Sequence, residues 1–248
     1  MTQSRTAQSG FTLLELMIAV FIALFLMGGL LTLVSAMKRT SGIESSLGAL
    51  HDSERMALTM VNDVVQQAGY FPAPLTNSAA AQFLVVAPFT SAGQSIYGTD
   101  AGTAAAPLDE LYVRYASAGG DGVMNCTGAV SPVGTPANWI SRFRVDGSGN
   151  FQCLLTTNGA AAAQWVTLAS GVKYLEILYG VQTNPASKTF SVDRYLTATQ
   201  VGANWGNVIS VQFRLYFNNP LSNQPGQTAA TIPVTRMIAI MNRVGVNT

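Results

Sequence analysis

Few residues in this chain are placed to do chemistry. Glu15 is the most conspicuous, because it interrupts an otherwise apolar run, Phe11–Val34 (FTLLELMIAVFIALFLMGGLLTLV). A carboxylate near the middle of a bilayer costs about 2.5–3.5 kcal/mol on insertion scales, so an acid there marks a function. Closer to the interface it would instead snorkel to the headgroups, and Glu15 taken alone allows both readings. The chain has one histidine, His51, which leaves little for an imidazole metal site. Its two cysteines, Cys126 and Cys153, are too far apart for a zinc knuckle or a CxxC redox motif. There is no G-x-S-x-G, no H-E-x-x-H and no phosphate-binding glycine loop before a helix. No Asp/Glu run has EF-hand spacing either. The sequence therefore predicts no catalytic residues, no metal site and no cofactor.

The elements that position these residues follow from length and patterning. The 248 residues suffice for one domain of about 180–200 residues plus an appended segment. Charged residues make up 10% of the chain, with 13 Lys and Arg against 12 Asp and Glu. Such near-neutrality gives no support for a nucleic-acid surface, and none is predicted. The abundance of Ala, Gly, Ser, Thr and Asn fits a secreted or extracellular domain with many turns. The apolar run is roughly 24 residues, or about 36 Å of helix, enough to cross a hydrocarbon core of about 30 Å. A secretory signal peptide would have a shorter apolar region and a small-residue cleavage site after it, so a membrane-spanning helix is the expectation.

The residues before the run decide between the two readings of Glu15. A short polar stretch, MTQSRTAQSG, ends in Gly10 and is followed by Phe11-Thr12-Leu13-Leu14-Glu15-Leu16-Met17. Leader, glycine, aromatic, acid and span, in that order, resemble the prepilin class. The resemblance implies cleavage by a prepilin peptidase between Gly10 and Phe11, followed by N-methylation of the new Phe11 amine. Glycine before the bond suits this, since no side chain obstructs backbone approach. It further implies that Glu15 of an incoming subunit is attracted to the Phe11 amine of a neighbour. The desolvated carboxylate thereby gains a partner, and axial register is set. Orientation is not chosen by charge, because Arg5 precedes the span and Lys38-Arg39 follow it. The resemblance places the leader in the cytoplasm, with the chain in the inner membrane, its C-terminal domain periplasmic, and then in a pilus at the cell surface.

Past the span, Ile43, Leu47, Leu50, Ala57, Leu58, Val61, Val65 and Ala68 recur at spacings near three and four. They predict an amphipathic helix to about Ala68, ended by Gly69, with Asp52, Arg55, Asn62 and Gln66 on its polar face. Gly28-Gly29 and Ser41-Gly42 are the expected places for a bend or local melting. His51 and Glu54 are expected to be solvated or at the helix edge. Beyond Phe71-Pro72-Ala73-Pro74 the pattern becomes short strands divided by Gly, Pro and Asn clusters. The expected strands are Gln82–Ala87, Leu111–Tyr115, Ile140–Val145, Phe151–Leu155, Trp165–Leu168, Val172–Tyr179, Val208–Phe217 and Val234–Met241. Asp146-Gly147-Ser148-Gly149-Asn150 reads as a hairpin turn. Val211, Phe213, Leu215 and Phe217 should face the Ile43–Ala68 helix. The fold class is α+β, a pilin fold: one long N-terminal helix, half transmembrane and half amphipathic, on an antiparallel β-sheet. The parts are a leader (1–10), a transmembrane and filament-core helix (11–36), an amphipathic helix (37–69) and a β-rich head (70–248).

Further motifs narrow the resemblance. Glu54-Arg55-Met56-Ala57-Leu58 through Gln67-Ala68-Gly69-Tyr70-Phe71 is similar to the (A/E)RxAL…AGYF segment of PilW-family minor pilins. Gly171–Val181, Val192-Asp193-Arg194-Tyr195, Trp205, Asn207-Val208-Ile209 and the ending Arg236–Arg243 resemble the same family. Ala73–Pro107 has no counterpart there. The family implies a subunit that primes type IV pilus assembly and sits in the tip complex. Its partners would be other minor pilins, the major pilin, the prepilin peptidase and a PilY-type tip adhesin. It would support twitching motility, adhesion or DNA uptake, with no reaction of its own. The alternative is a J-type minor pseudopilin of a type II secretion system. Outside the cytoplasm, Cys126 and Cys153 are expected to form a disulfide closing a loop of about 28 residues, contributing roughly 3–4 kcal/mol.

Overall fold

The computed structural model describes residues 12–161, 164–184, 191–222, 224 and 226–242. Helix α1 (Leu13–Gln66) is continuous. Of the bend or local melting expected at Gly28-Gly29 and Ser41-Gly42, the melting does not occur. A helical glycine costs only about 1 kcal/mol relative to alanine. Nearby hydroxyls also bond back along the helix, Thr32 Oγ1 donating to the Gly29 carbonyl at 2.7 Å and Ser46 Oγ to that of Gly42 at 2.9 Å. By its contacts the chain divides into an N-terminal unit ending at Gly48 and a second unit from Ala49 onward.

The second unit contains the end of α1 and the strands. After α1 come a short helix α2 (Ala79–Gln82), β1 (Ile96–Thr99), β2 (Gly102–Thr103), β3 (Ala106–Pro107) and β4 (Glu110–Ser117). Then follow β5 (Ala137–Val145), β6 (Asn150–Thr157), β7 (Ala160–Ala161), β8 (Val166–Ser170), β9 (Val172–Val181), β10 (Arg194–Leu196), a short helix α3 (Ala198–Val201), β11 (Val208–Asn218) and β12 (Thr231–Ala239). The single sheet expected from the sequence is two sheets and a ribbon. One runs β1-β4-β5-β6-β7 with β8 on β6, the other runs β10-β9-β11-β12, and β2 pairs with β3. Gly171, at φ +78°, separates β8 from β9 and lets the chain leave one sheet for the other within a residue. Asp109 stitches the two sheets: its N–H donates to the Leu175 carbonyl at 3.0 Å, and its carboxylate accepts from the Ile177 N–H at 2.9 Å.

Alternation explains the core. In β11, Val211, Phe213, Leu215 and Phe217 are all buried, as their period-two spacing requires. They share one apolar cluster with Phe143 and Phe151 of the first sheet, with Ala57, Val61, Val64 and Val65 of α1 and with Ala68 just beyond it. Phe151 stacks on Phe143 at 5.8 Å and meets Phe213 edge-on at 5.6 Å, so the inner faces of both sheets touch. The end of α1 is fastened by the last strand. The Met241 N–H donates to the Gln66 carbonyl at 3.3 Å, and Asn242 Nδ2 reaches the Ala68 carbonyl at 3.3 Å, satisfying acceptors that a helix end leaves open.

The expected strand Gln82–Ala87 is a correction. Its start is the end of α2, because Ser78 Oγ accepts from the Ala81 N–H at 3.2 Å and three alanines follow the cap. Its remainder forms only an isolated bridge, Val86 to Phe89. The other seven expected strands are present with slightly different ends. The turn at Asp146 is also there, with Gly149 at φ +78° and the Asp146 carboxylate accepting from the N–H groups of Ser148 and Asn150.

Gly98 on β1 marks a close approach. A Cβ there would collide with the hydroxyl of Tyr179, which is fully buried and has no hydrogen-bond partner among the described residues. Gly98→Ala is therefore expected to lower stability by about 1–3 kcal/mol, the range for overpacking. Adding Tyr179→Phe should recover part of the loss by removing the colliding, unpaired oxygen. Chemical denaturation of the two single variants and the double variant checks the coupling.

Candidate functional site

The chemistry-bearing residues of the first turn of α1 form a reciprocal cap. Thr12 stands just before the helix and Glu15 is its third residue. The Glu15 N–H donates to Thr12 Oγ1 at 3.3 Å, while the Thr12 N–H donates to Glu15 Oε2 at 3.4 Å. This is a capping box, in which side chains satisfy backbone donors that the helix start leaves unpaired. An acid here also meets the positive end of the helix dipole. Glu15 thus has a structural task in its own helix. Gly10 and Phe11, the expected cleavage and methylation positions, lie outside the described residues.

From this cap onward α1 is apolar and uncovered. Residues 12–42 are all exposed, including Leu14, Met17, Phe21, Phe25 and Leu31. The most apolar window has a mean hydropathy of 2.7 with none of it buried, and the helix is long enough to cross a membrane. An aliphatic helix surface of this extent is stable only in lipid or against other apolar helices.

In the second unit, Cys126 and Cys153 are bonded, with Cα atoms 6.4 Å apart and a sequence separation of 27. Both are fully buried. Cys153 lies on β6, and Cys126 on the long irregular connection between β4 and β5, which the bond ties to the sheet. His51 is exposed and lies 3.4 Å from Glu54, itself half-buried, so the imidazole is solvated as expected. Among the described residues, no group of three or more His, Cys, Asp or Glu side chains could hold a metal. The structure thus keeps the expected site residues as separate features: the Glu15 cap, and the Cys126–Cys153 bond in the second unit.

Three side chains with structural tasks escaped sequence reasoning. Thr12 was legible in principle, since Thr-x-x-Glu before an apolar run is a capping-box spacing. Asn242, which caps the end of α1, and Arg114, which is buried beneath the Phe83–Gln94 loop, carry no local sequence signal.

Two family models match the chain. Prokaryotic N-terminal methylation motif covers residues 5–31 and so includes Thr12, Glu15 and the uncovered helix as far as Leu31. The N-terminal segment therefore matches a prepilin-type motif. Type IV Pilus-assembly protein W covers residues 142–236, from the middle of β5 into β12. The two matches together are those of a PilW-family pilin, a structural family of pilus assembly, for which other pilins are the natural partners. No curated protein matches the chain.

Removing the disulfide tests what ties the β4–β5 connection down. Cys126→Ala with Cys153→Ala is expected to lower stability by about 2–5 kcal/mol, measured as a shift in denaturation midpoint.

Proposed function

We propose that this chain is a minor pilin that primes type IV pilus assembly and takes a place in the tip complex, where it helps present a PilY-type adhesin. It is held in the inner membrane by α1 with its C-terminal domain in the periplasm. After cleavage between Gly10 and Phe11 and methylation of the Phe11 amine, it moves into the pilus. Glu15 then pairs with the amine of a neighbouring subunit. It catalyses no reaction, and twitching motility, adhesion or DNA uptake are behaviours of the assembled pilus. The observation that carries this reading is the joint occurrence of the methylation motif over 5–31 and the PilW match over 142–236 in one chain. The match to a pilus-assembly family favours a pilus over a secretion pseudopilus.

The test is to produce the full chain with a prepilin peptidase and read the mature N-terminus by mass spectrometry. The expected product begins with N-methyl-Phe11. A Glu15→Val variant should be cleaved normally yet fail to enter sheared pili. An intact Met1 terminus in the presence of active peptidase would overturn the proposal.

A further inference from the structure

The stretch Ala73–Pro107, which lies outside both family matches, displays a surface that folding alone does not explain. No residue between Asp63 and Asp100 carries a formal charge. Within this run three consecutive aliphatic side chains stand in solvent: Leu84 is 65% exposed, Val85 60% and Val86 48%. Scattered exposed aliphatics are ordinary, but three in a row on a fastened loop are not.

The fastening is Arg114. Its side chain leaves β4 and is only 4% exposed. The guanidinium donates to four loop carbonyls: Nε to Gln94, Nη1 to Leu84 at 2.7 Å, and Nη2 to Phe83 at 3.3 Å and Ser91 at 3.2 Å. It also lies 4.3 Å from the ring centre of Phe89 and 5.2 Å from that of Phe83. The Gln94 side chain accepts from the N–H groups of Thr90 and Ser91 at 3.0 and 3.2 Å. The tip itself is closed by the Phe89 N–H on the Val86 carbonyl at 2.8 Å, and its base by the Gly93 N–H on that of Phe83 at 2.9 Å. Burying a cation among neutral carbonyls is costly unless it is fully hydrogen-bonded. Here that device fixes both limbs of a loop whose tip is aliphatic and uncovered.

We propose that Leu84–Val86 is a preformed knob that docks into an uncharged apolar groove on a neighbouring pilin head. The proposal rests on the pilin reading above and goes beyond it by naming the surface and the chemistry of its partner. A tip already held in one conformation loses little freedom on binding, which favours a packed protein contact. A partner bringing a charge to this surface would desolvate it with nothing to pair against, so the groove that fits is itself neutral. The neutral surface continues beside the knob, where Phe71 meets Phe83 edge-on at 6.1 Å. There a cleft of about 1110 Å³ is lined by Tyr70, Phe71, Pro74, Trp205, Ile209 and other uncharged residues. A lipid surface fits less well, because the run has no Lys or Arg to meet anionic headgroups and no amphipathic helix of useful length.

The experiment uses the full chain in pilus-producing cells with a photo-crosslinking residue at position 85, and at Val133 as an exposed control on another loop. The expected adduct at 85 is a second protein carrying a prepilin-type N-terminus, absent from the control. Leu84→Ser with Val85→Ser and Val86→Ser should reduce the chain in sheared pili by about tenfold, the scale of one lost hot spot. The single change Val85→Asp, at an exposed side chain, should do the same. Continued Cys126–Cys153 bond formation and unchanged membrane levels would show that the head still folds. Adducts only to lipid, only to a second copy of this chain, or wild-type incorporation of both variants would overturn the proposal. Absence of even the wild-type chain from pili, despite membrane insertion, would instead break the pilin reading on which it rests.

Discussion

The constraint on which the rest depends is that the first half of α1 has no cover of its own. Every described residue through Gly42 is exposed, and most of them are aliphatic or aromatic. Burying a single such side chain is worth about 1.5–3 kcal/mol, so a helix carrying a score of them cannot persist in water. In the proposed assembly it exchanges one apolar environment for another, lipid before and neighbouring helices after. In membranes, apolar helices gain little from hydrophobicity when they pair, because the lipid tails are equally apolar. A directional polar contact is then needed to choose the register, and within Phe11–Val34 Glu15 is the one ionisable side chain.

The second unit answers a different requirement, that of holding the end of this helix. A small side chain at Ala57 and β-branched ones at Val61, Val64 and Val65 give α1 a narrow apolar stripe inside the same cluster as β9 and β11, continued by Ala68 just past the helix. The last strand then returns to the helix end through Met241 and Asn242. Where apolar packing thins out, in the irregular connection between β4 and β5, the Cys126–Cys153 bond takes over. The outer faces carry ion pairs instead, Arg142 with Glu110 at 2.8 Å and Arg214 with Glu176 at 2.9 Å. Partly exposed pairs of this kind contribute about 0–1 kcal/mol each, so they shape solubility more than stability.

What could be read beforehand divides along the same physical line. Period-two burial made β11 legible residue by residue, and glycines with aspartate made the Asp146 turn legible, because both are local rules. The long apolar run was legible for the same reason. Two features were not. Phe83-Leu84-Val85-Val86 looks like a buried strand, yet its exposed tip is held by an arginine some thirty positions away in sequence, a contact with no local signature. The division into two sheets turns on the positive φ at Gly171, and a glycine alone does not announce whether it ends a hairpin or changes sheets.

The capping box changes how the Glu15 contact in the proposed assembly should be weighed. The carboxylate is not a bare charge waiting in lipid, since Thr12 already donates to Oε2 and a cap of this type is worth about 1 kcal/mol. That internal bond offsets part of the 2.5–3.5 kcal/mol or so that an intramembrane acid costs. A neighbouring amine, which keeps its positive charge after methylation, would add to this arrangement rather than replace it, because a carboxylate offers about four lone-pair sites. The net gain on pairing is then moderate and strongly dependent on position. That suits a step that must select one register from many yet remain correctable. It also means that Thr12 and Glu15 act as a unit, with the threonine fixing where the charge sits and the glutamate supplying it.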